Sequence, residues 1–166
     1  MAKRPAKASP RGKELNDVQL QVWLAYMRVD LQLTYEMNHQ LLSESKLSLA
    51  DYHVLSKLHQ APTQTLRMSA LAKEIGWERS RASHHVRRMT ERGLIATEQA
   101  TKDRRGTLVT VTDRGHATYE EARRGHVALV KELFFSGLRD DLLASLTEAL
   151  EHVYRNILER GSGHGG

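Results

Sequence analysis

The sequence predicts a mainly α-helical protein with one small β-hairpin, and three observations carry that prediction. Residues 15–42 keep helical apolar spacing without a proline or a glycine. Two short helical patterns, 69–75 and 79–92, stand on either side of a turn that contains glycine. Two β-branched segments, 94–99 and 107–111, then enclose a polar loop, which is typical of a hairpin.

The composition excludes several classes of protein before any motif is considered. The chain has 166 residues, a formal net charge of +5, 40% hydrophobic residues and no cysteine. The lack of cysteine excludes disulfides, thiolate zinc sites and thiol-based redox sensing. No uncharged apolar run is long enough to span a bilayer, and the basic start lacks the apolar segment of a secretory signal. We therefore expect a cytoplasmic protein with no membrane partner, whose positive charge permits contact with a polyanion without proving it.

The two ends of the chain have the composition of unstructured segments. Residues 1–13 contain five lysines and arginines together with two prolines. They are predicted to form a disordered basic arm, although a solubilising tail fits the same composition. Residues 161–166 (GSGHGG) are predicted to form a flexible tail.

The first helical pattern, predicted within residues 14–46, is apolar on two sides. One series comprises Leu15, Val18, Val22, Tyr26, Val29, Leu33 and Met37, and the other comprises Leu20, Leu24, Met27, Leu31 and Tyr35. At about 100° per residue the two series lie on nearly opposite faces of the helix. A helix that is apolar on two sides must be covered on two sides, so we predict that this segment packs against a second subunit.

Residues 47–112 are predicted to form one lobe, which begins with a capped helix. Ser48 can cap that helix, Asp51 stands three residues later, and Pro62 ends it. The short helix 69–75, its glycine turn and the helix 79–92 then make a helix-turn-helix. The hairpin that follows directly is predicted to be a wing.

The remaining segment, residues 113–160, is predicted to contain two helices. Thr112 can cap the first, Gly125 weakens its continuity, and Gly137 interrupts the pattern before the last helix opens at Asp140. The last helix carries a near-heptad apolar seam suited to packing on another helix. Together with the first helix it is predicted to form the dimerisation region, with contacts from Leu20, Leu24, Leu143, Leu146, Leu150, Val153 and Ile157.

The helix 79–92 separates into two arcs on a helical wheel. Ala82, Val86 and Met89 form the apolar arc that anchors the helix. The other arc is basic and is predicted to point outward; it comprises Arg81, His84, His85, Arg88 and Arg92, with Ser80 and Arg87 flanking it.

Three interpretations of the basic arc compete. A solvated charged helix would normally mix signs at i,i+4 spacing, whereas here basic residues stand four apart. A metal site is disfavoured because adjacent histidines diverge by about 100° on a helix. A recognition helix in the DNA major groove is favoured, because arginine pairs bidentately with guanine or phosphate. The predicted contacts are Arg79, Ser80, Arg81, Ser83, His84, Arg87 and Arg88.

The tip of the hairpin supports the same interpretation. Its basic residues suit the narrow, electronegative minor groove, although a merely solvated turn is the alternative. The predicted wing contacts are Lys102, Asp103, Arg104 and Arg105, with Asp103 orienting a neighbouring arginine.

Several segments of the sequence together resemble a known family. The combination of SALAKEIG, ERSRASHHVRRMTERGLI, DRRG and VTDRG at these spacings looks like the MarR family of bacterial winged helix-turn-helix regulators. The resemblance covers residues 15–158 and implies a homodimer whose first and last helices intertwine. It also implies groove-facing roles for Ser80, Arg81, His84 and Arg88. Glu78 and His85 depart from the family pattern, so Glu78 is an unfavourable neighbour for phosphate and His85 is expected to be partly buried.

The same resemblance implies a cleft for a small aromatic or anionic effector between the dimerisation helices and the lobe. The candidate pocket residues are Trp23, Tyr26, Met27, Asp30, His53 and His116. Each has an ordinary alternative, because Trp23 and Met27 also fit a core or a dimer interface and a lone histidine is commonly exposed. No cofactor and no metal are predicted.

The leading hypothesis is therefore a homodimeric regulator of transcription, acting as a repressor on a pseudo-palindromic duplex operator. An architectural winged-helix protein with little sequence preference is the alternative, and an adaptor that binds other proteins is a third hypothesis. An enzyme has no support, since the sequence shows no nucleophile–base motif, phosphate loop or metal-ligand spacing.

Overall fold

The computed structural model describes residues 14–100 and 106–161 and confirms a mainly α-helical fold with a small antiparallel sheet. In chain order its elements are α1 (Asp17–Ser45), α2 (Leu49–Gln60), β1 (Thr65–Arg67), α3 (Met68–Glu74), α4 (Arg79–Glu91), β2 (Ile95–Gln99), β3 (Thr107–Val111), α5 (Asp113–Val130), a π-helical turn (Lys131–Phe135) and α6 (Asp140–Arg160). In these parts of the chain no helix is long and apolar enough to cross a membrane.

Reciprocal side-chain bonds define where the first two helices begin. Asn16 Oδ1 accepts from the Gln19 backbone N–H at 2.9 Å, and Gln19 Oε1 accepts from the Asn16 N–H at 3.0 Å. α2 opens in the same way: Ser48 Oγ accepts from the Asp51 N–H at 3.1 Å, and Asp51 Oδ2 accepts from the Ser48 N–H at 2.9 Å. Both capping boxes satisfy backbone donors that a helix start leaves open. The second was predicted and is confirmed.

The sheet contains one strand more than the sequence indicated. Its order is β1-β3-β2, and both pairings are antiparallel. The predicted hairpin of β2 and β3 is present, with Ile95 opposite Val111. β1 was not predicted, because three residues are too few to display an alternating pattern. It is joined to β3 at Thr65 and Thr110, whose hydroxyl oxygens lie 2.9 Å apart.

The core lies inside the winged-helix lobe, where α2, α3, α4 and β3 meet the end of α1. Its largest fully buried side chains are aliphatic or Met, namely Leu41, Leu47, Val54, Leu55, Leu58, Leu71, Val86, Met89, Ile95 and Val109. Gly115 in α5 allows the close approach of the backbone just before β2, since a Cβ there would lie 1.9 Å from the Leu94 carbonyl oxygen. The glycine of the VTDRG segment is therefore required by packing.

The two helices at the ends of the chain differ sharply from that lobe. Within the described chain, α1 buries only Gln40 and Leu41, both near its C-terminal end. α6 buries no residue at all. Before α6 the chain passes through the π-helical turn and then Gly137, whose φ of 83° suits only glycine without strain. Most of the apolar surface of both helices is consequently exposed.

Candidate nucleic-acid interface

The apolar arc of α4 anchors that helix to the lobe as predicted. Ala82 and Met89 have no exposed surface, and Val86 retains 2%. Their spacing of four and three residues keeps them on one face of the helix. The opposite face is thereby fixed toward solvent.

The seven residues of α4 that were predicted to meet DNA are all exposed. They are Arg79, Ser80, Arg81, Ser83, His84, Arg87 and Arg88. Arg87 Nε lies 3.8 Å from Glu91 Oε1, a weak surface pair that leaves most of the positive charge of the arc uncompensated. Arginine, serine and histidine side chains on one exposed face can donate to phosphate oxygens and to guanine edges.

Glu78 stands at the N-cap position of α4 without making a side-chain capping hydrogen bond. Its carboxylate is favourable for the positive end of the helix dipole but repels phosphate. The first turn of α4 therefore presents Glu78 and Arg79 side by side, with opposite charge.

Two residues of the predicted outward arc instead face the protein. His85 retains 13% side-chain exposure, and its Nε2 lies 2.9 Å from Asp51 Oδ1, a close polar contact without the alignment of a full hydrogen bond. Arg92 Nη1 donates to Asp51 Oδ2 at 2.7 Å, and its Nη2 donates to the Lys46 carbonyl at 2.6 Å. The outward placement of Arg92 was wrong, because a buried carboxylate attracts it. For His85, the expectation of partial burial is correct.

Asp51 is the centre of this arrangement. Burial raises the pKa of its carboxyl, but contacts from His85, Arg92 and the Ser48 N–H outweigh burial and hold the pKa well below its usual range. The carboxylate is thus charged, buried and surrounded by donors from α4 and from the start of α2. It fixes the orientation of α4 on the lobe.

Trp77, directly before the N-cap of α4, was not singled out from the sequence. Its ring packs partly on the core and meets the His85 ring edge-on, at 5.1 Å and 78°. Arg81 Cζ lies 4.5 Å from the centroid of the indole, in cation–π range. The i,i+4 spacing of Trp77 and Arg81 is the signal that could have revealed this pair.

The wing is described only at its base. β2 and β3 are present on both sides of the loop, and Gly106 follows the part that lies outside the described residues. The predicted wing contacts Lys102, Asp103, Arg104 and Arg105 fall in that part. The predicted N-terminal arm, residues 1–13, also lies outside the described residues.

The candidate effector residues fall into two separate groups. Trp23, Tyr26, Met27 and Asp30 lie on the N-terminal half of α1, where the rings of Trp23 and Tyr26 are 5.6 Å apart. His53 lies on α2 and His116 on α5. Among the described residues, no hydrogen bond, ion pair or ring contact joins the two groups.

The structure reveals instead a row of aromatic rings between α2 and α5. His116 Nδ1 lies 2.8 Å from His59 Nε2, and the His59 ring stacks on Tyr119 at 4.1 Å. Tyr52 contacts Tyr119 at 5.3 Å and His126 at 4.3 Å. We call these five residues the α2–α5 aromatic row. Burial lowers the pKa of His126 below its usual value, and His53 lowers it further.

No group of three or more potential metal ligands occurs in residues 14–100 and 106–161. The histidines of the aromatic row contact rings and one another.

The predicted dimerisation residues are largely exposed. Leu20 and Leu24 on α1 retain 44% and 51% of their surface, and Leu150, Val153 and Ile157 on α6 retain between 48% and 56%. Leu143 and Leu146 are half-buried. A groove of about 580 Å³ also opens between α1 and the π-helical turn, lined by Val29, Leu33 and Phe134 among others.

Comparison with known proteins agrees with this geometry. Residues 47–107 match the model of the MarR family. The chain is 24% identical over 155 residues to the HTH-type transcriptional repressor MdtR of Bacillus subtilis, covering 90% of this chain and 96% of MdtR.

Solved structures match almost the whole chain. AbsC, a MarR family transcriptional regulator from Streptomyces coelicolor, has a TM-score of 0.82 at 29% identity, over 88% of this chain and 98% of AbsC. Sco3205 from the same organism, solved in complex with DNA, has a TM-score of 0.84 at 28% identity, over 93% of this chain and 97% of its own. CouR from Rhodococcus jostii, solved with p-coumaroyl-CoA, shares the fold at 21% identity and a TM-score of 0.70, over 80% of this chain and 90% of CouR.

Both the family model and these relatives describe regulators of transcription and not enzymes. AbsC and Sco3205 share the arrangement of helices and strands of this chain over most of its length. Residues 47–107 therefore match the MarR family, and almost the whole chain shares the fold of solved MarR family transcriptional regulators.

Proposed function

We propose that this protein is a homodimeric repressor that binds a pseudo-palindromic duplex operator, with α4 in the major groove and the wing in the minor groove. The observation that carries the proposal is the division of α4 into a fully buried apolar face and an exposed basic face. Relatives also support it, since Sco3205 was solved with DNA and MdtR is named a repressor. Binding to an operator would take place in the cytoplasm, where bacterial DNA lies.

The exposed face of α4 has the chemistry that operator reading requires. Arg81 and Arg88 lie seven residues apart on the same side of the helix, with His84 between them. Arginine can pair bidentately with guanine O6 and N7 in the major groove, whereas Ser80 and Ser83 reach shorter contacts. Arg79 and Arg87, at the edges of this face, are assigned to phosphates.

The exposed apolar surface of the end helices supports the homodimer. α6 is a 21-residue helix with no buried side chain, although most helical stability in proteins comes from packing an apolar face. Its exposed residues Val153, Tyr154 and Ile157 are matched by exposed Leu20 and Leu24 on α1. A second copy of the chain would cover both surfaces and the groove beside Phe134. Residues 14–46 and 113–160 would then form the dimerisation region and 47–112 the DNA-binding lobe.

A two-fold dimer determines the symmetry of the operator. Two copies of α4 related by a two-fold axis require two half-sites in inverted orientation, about one helical turn apart. Because both helices must fit at once, an effector that favours a different spacing of the two lobes would release the DNA.

The α2–α5 aromatic row supports a small aromatic or anionic effector. It lies where the lobe meets α5, and nearby His126 Nδ1 and Gln40 Oε1 are buried without a hydrogen-bond partner among the described residues. Such polar atoms beside aromatic rings suit a ring-bearing ligand with polar groups. CouR, which shares the fold, was solved with p-coumaroyl-CoA, an aromatic anion. Trp23, Tyr26, Met27 and Asp30 of a partner subunit are candidates for completing the site.

Selection of bound duplexes from a random pool tests the proposed function. The full-length protein should enrich an inverted repeat, and the enriched duplex should bind at least about 1,000-fold more tightly than a scrambled one. Arg81→Ala should abolish the enrichment, whereas Arg139→Ala, an exposed arginine paired with Asp141 outside α4, should leave it intact. Equal affinity for every duplex would favour the architectural alternative, and no affinity for any duplex would refute DNA binding.

A further inference from the structure

We propose that Trp77 is a positioning residue that pre-orients Arg81 for sequence reading, and that Asp51 holds it in place through His85. The proposal rests on the proposed function, since Arg81 is assigned there to the major groove. It adds a specificity-determining residue that lies outside the groove-facing set.

The indole of Trp77 and the guanidinium of Arg81 are in contact. Arg81 Cζ lies 4.5 Å from the ring centroid of Trp77, over the ring. An exposed arginine side chain otherwise samples many rotamers, and ordering it on binding costs free energy. Attraction to a π-face reduces that cost in the free protein. The neighbours of Arg81 four and seven residues on are His85 and Arg88, and in the described part of the chain Arg81 forms no ion pair, although Glu78 stands three residues earlier.

A π-face orders the guanidinium without occupying its hydrogen-bond donors. A salt bridge to a carboxylate would occupy the N–H groups that guanine or phosphate needs. Attraction to the ring face leaves the N–H groups that point away from the indole available. Trp77 can therefore fix the direction of Arg81 while its donors stay free for DNA.

Trp77 is itself held in place by contacts of its backbone and of its ring. Its backbone N–H donates to the Ala72 carbonyl at 2.8 Å, which ties the turn before α4 to the end of α3. The ring is partly buried against the core and has an edge contact with His85 at 5.1 Å. Two sides of the indole are thus held by the protein while Arg81 lies over its face.

His85 is in turn anchored by Asp51. Its Nε2 lies 2.9 Å from Asp51 Oδ1, and Asp51 is itself held by Arg92 and by the Ser48 N–H. Asp51 belongs to α2, whereas His85 belongs to α4 and Arg92 directly follows α4. A row of contacts therefore runs from a buried carboxylate in the lobe to an exposed arginine on the DNA-facing side.

The contacts of His85 with Asp51 and with Trp77 explain why histidine occupies position 85. An aliphatic side chain there could pack against Trp77 but could not approach Asp51 as a polar partner. Asparagine could meet Asp51 but would lose the ring edge against Trp77. Histidine satisfies both neighbours, so its role is to support Trp77 from inside the lobe.

A double-mutant cycle on DNA binding tests the proposal, using the duplex that the wild-type protein selects from a random pool. Trp77→Leu removes the π-face and keeps apolar bulk, and it should weaken binding about 3- to 10-fold. Trp77→Phe keeps a weaker π-face and should weaken binding about 2-fold. In the Arg81→Ala background, both substitutions should change the affinity for DNA by less than the measurement error, because the side chain that Trp77 positions is absent.

A matched control separates positioning from packing. Ile75 is also partly buried against the core and lies just before the same turn, but its aliphatic side chain has no π-face to offer Arg81. Ile75→Ala should lower the melting temperature, and any effect on binding should be the same with and without Arg81. Equal, additive losses for Trp77→Leu in both backgrounds would show that Trp77 contributes only packing and would overturn the proposal.

A measurement on the free dimer checks the contact without DNA. The indole ring current should shift the Arg81 side-chain resonances upfield in NMR spectra, and Trp77→Leu should abolish that shift. His85→Asn should reduce it, because the ring loses its edge support. Absence of the shift in the wild-type protein would overturn the proposal whatever the DNA result.

The outcomes also distinguish this proposal from the proposed function. If Arg81→Ala binds the selected duplex as tightly as the wild type, the assignment of Arg81 to the groove fails and the role of Trp77 in reading fails with it. If Arg81→Ala weakens binding and Trp77→Leu does not, only the positioning role is overturned.

Discussion

Arg92 Nη1 lies 2.7 Å from Asp51 Oδ2, a pair separated by 41 residues in the chain. The contact joins the C-terminal end of α4 to the first turn of α2. Arg92 Nη2 also donates to the Lys46 carbonyl at the end of α1. One arginine therefore connects the DNA-facing helix to both preceding helices, so α4 cannot rotate independently of them.

Asp51→Asn should destabilise the protein by about 2 to 3 kcal/mol, since the buried carboxylate accepts hydrogen bonds from the Ser48 N–H and from Arg92 and lies 2.9 Å from His85 Nε2. Solvent screens part of the charge of Arg92, whose side chain is 39% exposed, and this screening limits the loss of stability. Urea unfolding at fixed protein concentration measures the change. The matched control is Asp141→Asn, an exposed carboxylate that also pairs with an arginine, and it should leave the unfolding midpoint unchanged. An equal loss for both substitutions would contradict the importance of burial.

Acid should remove the stability that Asp51 contributes. Its folded pKa lies below that of the unfolded chain, which is about 3.9, so the contribution is complete above about pH 5 and declines as pH falls toward the folded pKa. The difference in unfolding free energy between wild type and Asp51→Asn should therefore shrink between pH 5 and pH 3. A difference that stays constant over this interval would mean that the carboxylate has an ordinary pKa in the folded protein.

The free energy of unfolding should also depend on pH at milder acidity, because two histidines have lowered pKa values in the folded protein. Burial lowers the pKa of His53, with Lys57 adding to the effect, and burial and His53 lower the pKa of His126. The unfolded chain, with a histidine pKa of about 6.5, then binds more protons than the folded one. The stability that His53 and His126 contribute is complete above about pH 6.5. It is lost as the pH falls below about 6.5 toward their pKa values in the folded protein.

Unfolding measured at pH 7.5 and pH 5.5 checks this dependence. The wild type should lose stability over that interval, and His126→Asn should lose less. Ser83→Ala, at an exposed position on α4, serves as the control, and its pH dependence should match that of the wild type. If His126→Asn retains the full pH dependence, His126 is not responsible for it.

The lobe was predictable because its signals are local. Gly76 and Gly93 both have positive φ, and they end α3 and α4 where the sequence indicated. The capping box of Ser48 and Asp51 is likewise contained within four residues. Such motifs depend on backbone sterics and neighbouring donors, which a short stretch of sequence displays.

The features that escaped prediction depend on contacts between distant segments. β1 exists because Thr65 and its neighbours pair with β3, more than forty residues later. Arg92 lies on the basic side of a helical wheel, but the wheel does not show that the Asp51 carboxylate approaches from another helix. The aromatic row likewise requires α2 and α5 to pack together, which no periodicity within either helix reveals.

Arg88→Ala should weaken binding to the selected duplex by about 5- to 150-fold if Arg88 reads a base, with relaxed preference at one position of each half-site. Arg87→Ala, at the edge of the same face, should weaken binding to all duplexes alike and reduce the salt slope by about 1 for each phosphate that is no longer neutralised. Fluorescence anisotropy at several salt concentrations distinguishes the two effects. Arg123→Ala on α5, an exposed arginine paired with Glu120, is the control and should alter neither quantity. Identical profiles for Arg88→Ala and Arg87→Ala would contradict the division into base and phosphate contacts.

Ile157→Glu should dissociate the proposed dimer, because it places a charge in the apolar seam of α6 where the side chain is 56% exposed in the single chain. The variant should elute as a monomer near 18.9 kDa in light scattering, whereas the wild type should have twice that mass. It should also lose affinity for a two-half-site duplex far more than for a single half-site, since the second lobe is no longer tethered. His152→Glu introduces the same charge about 140° around the helix from position 157 and should remain dimeric. A dimeric Ile157→Glu protein would show that the α6 seam is covered by something other than a second copy.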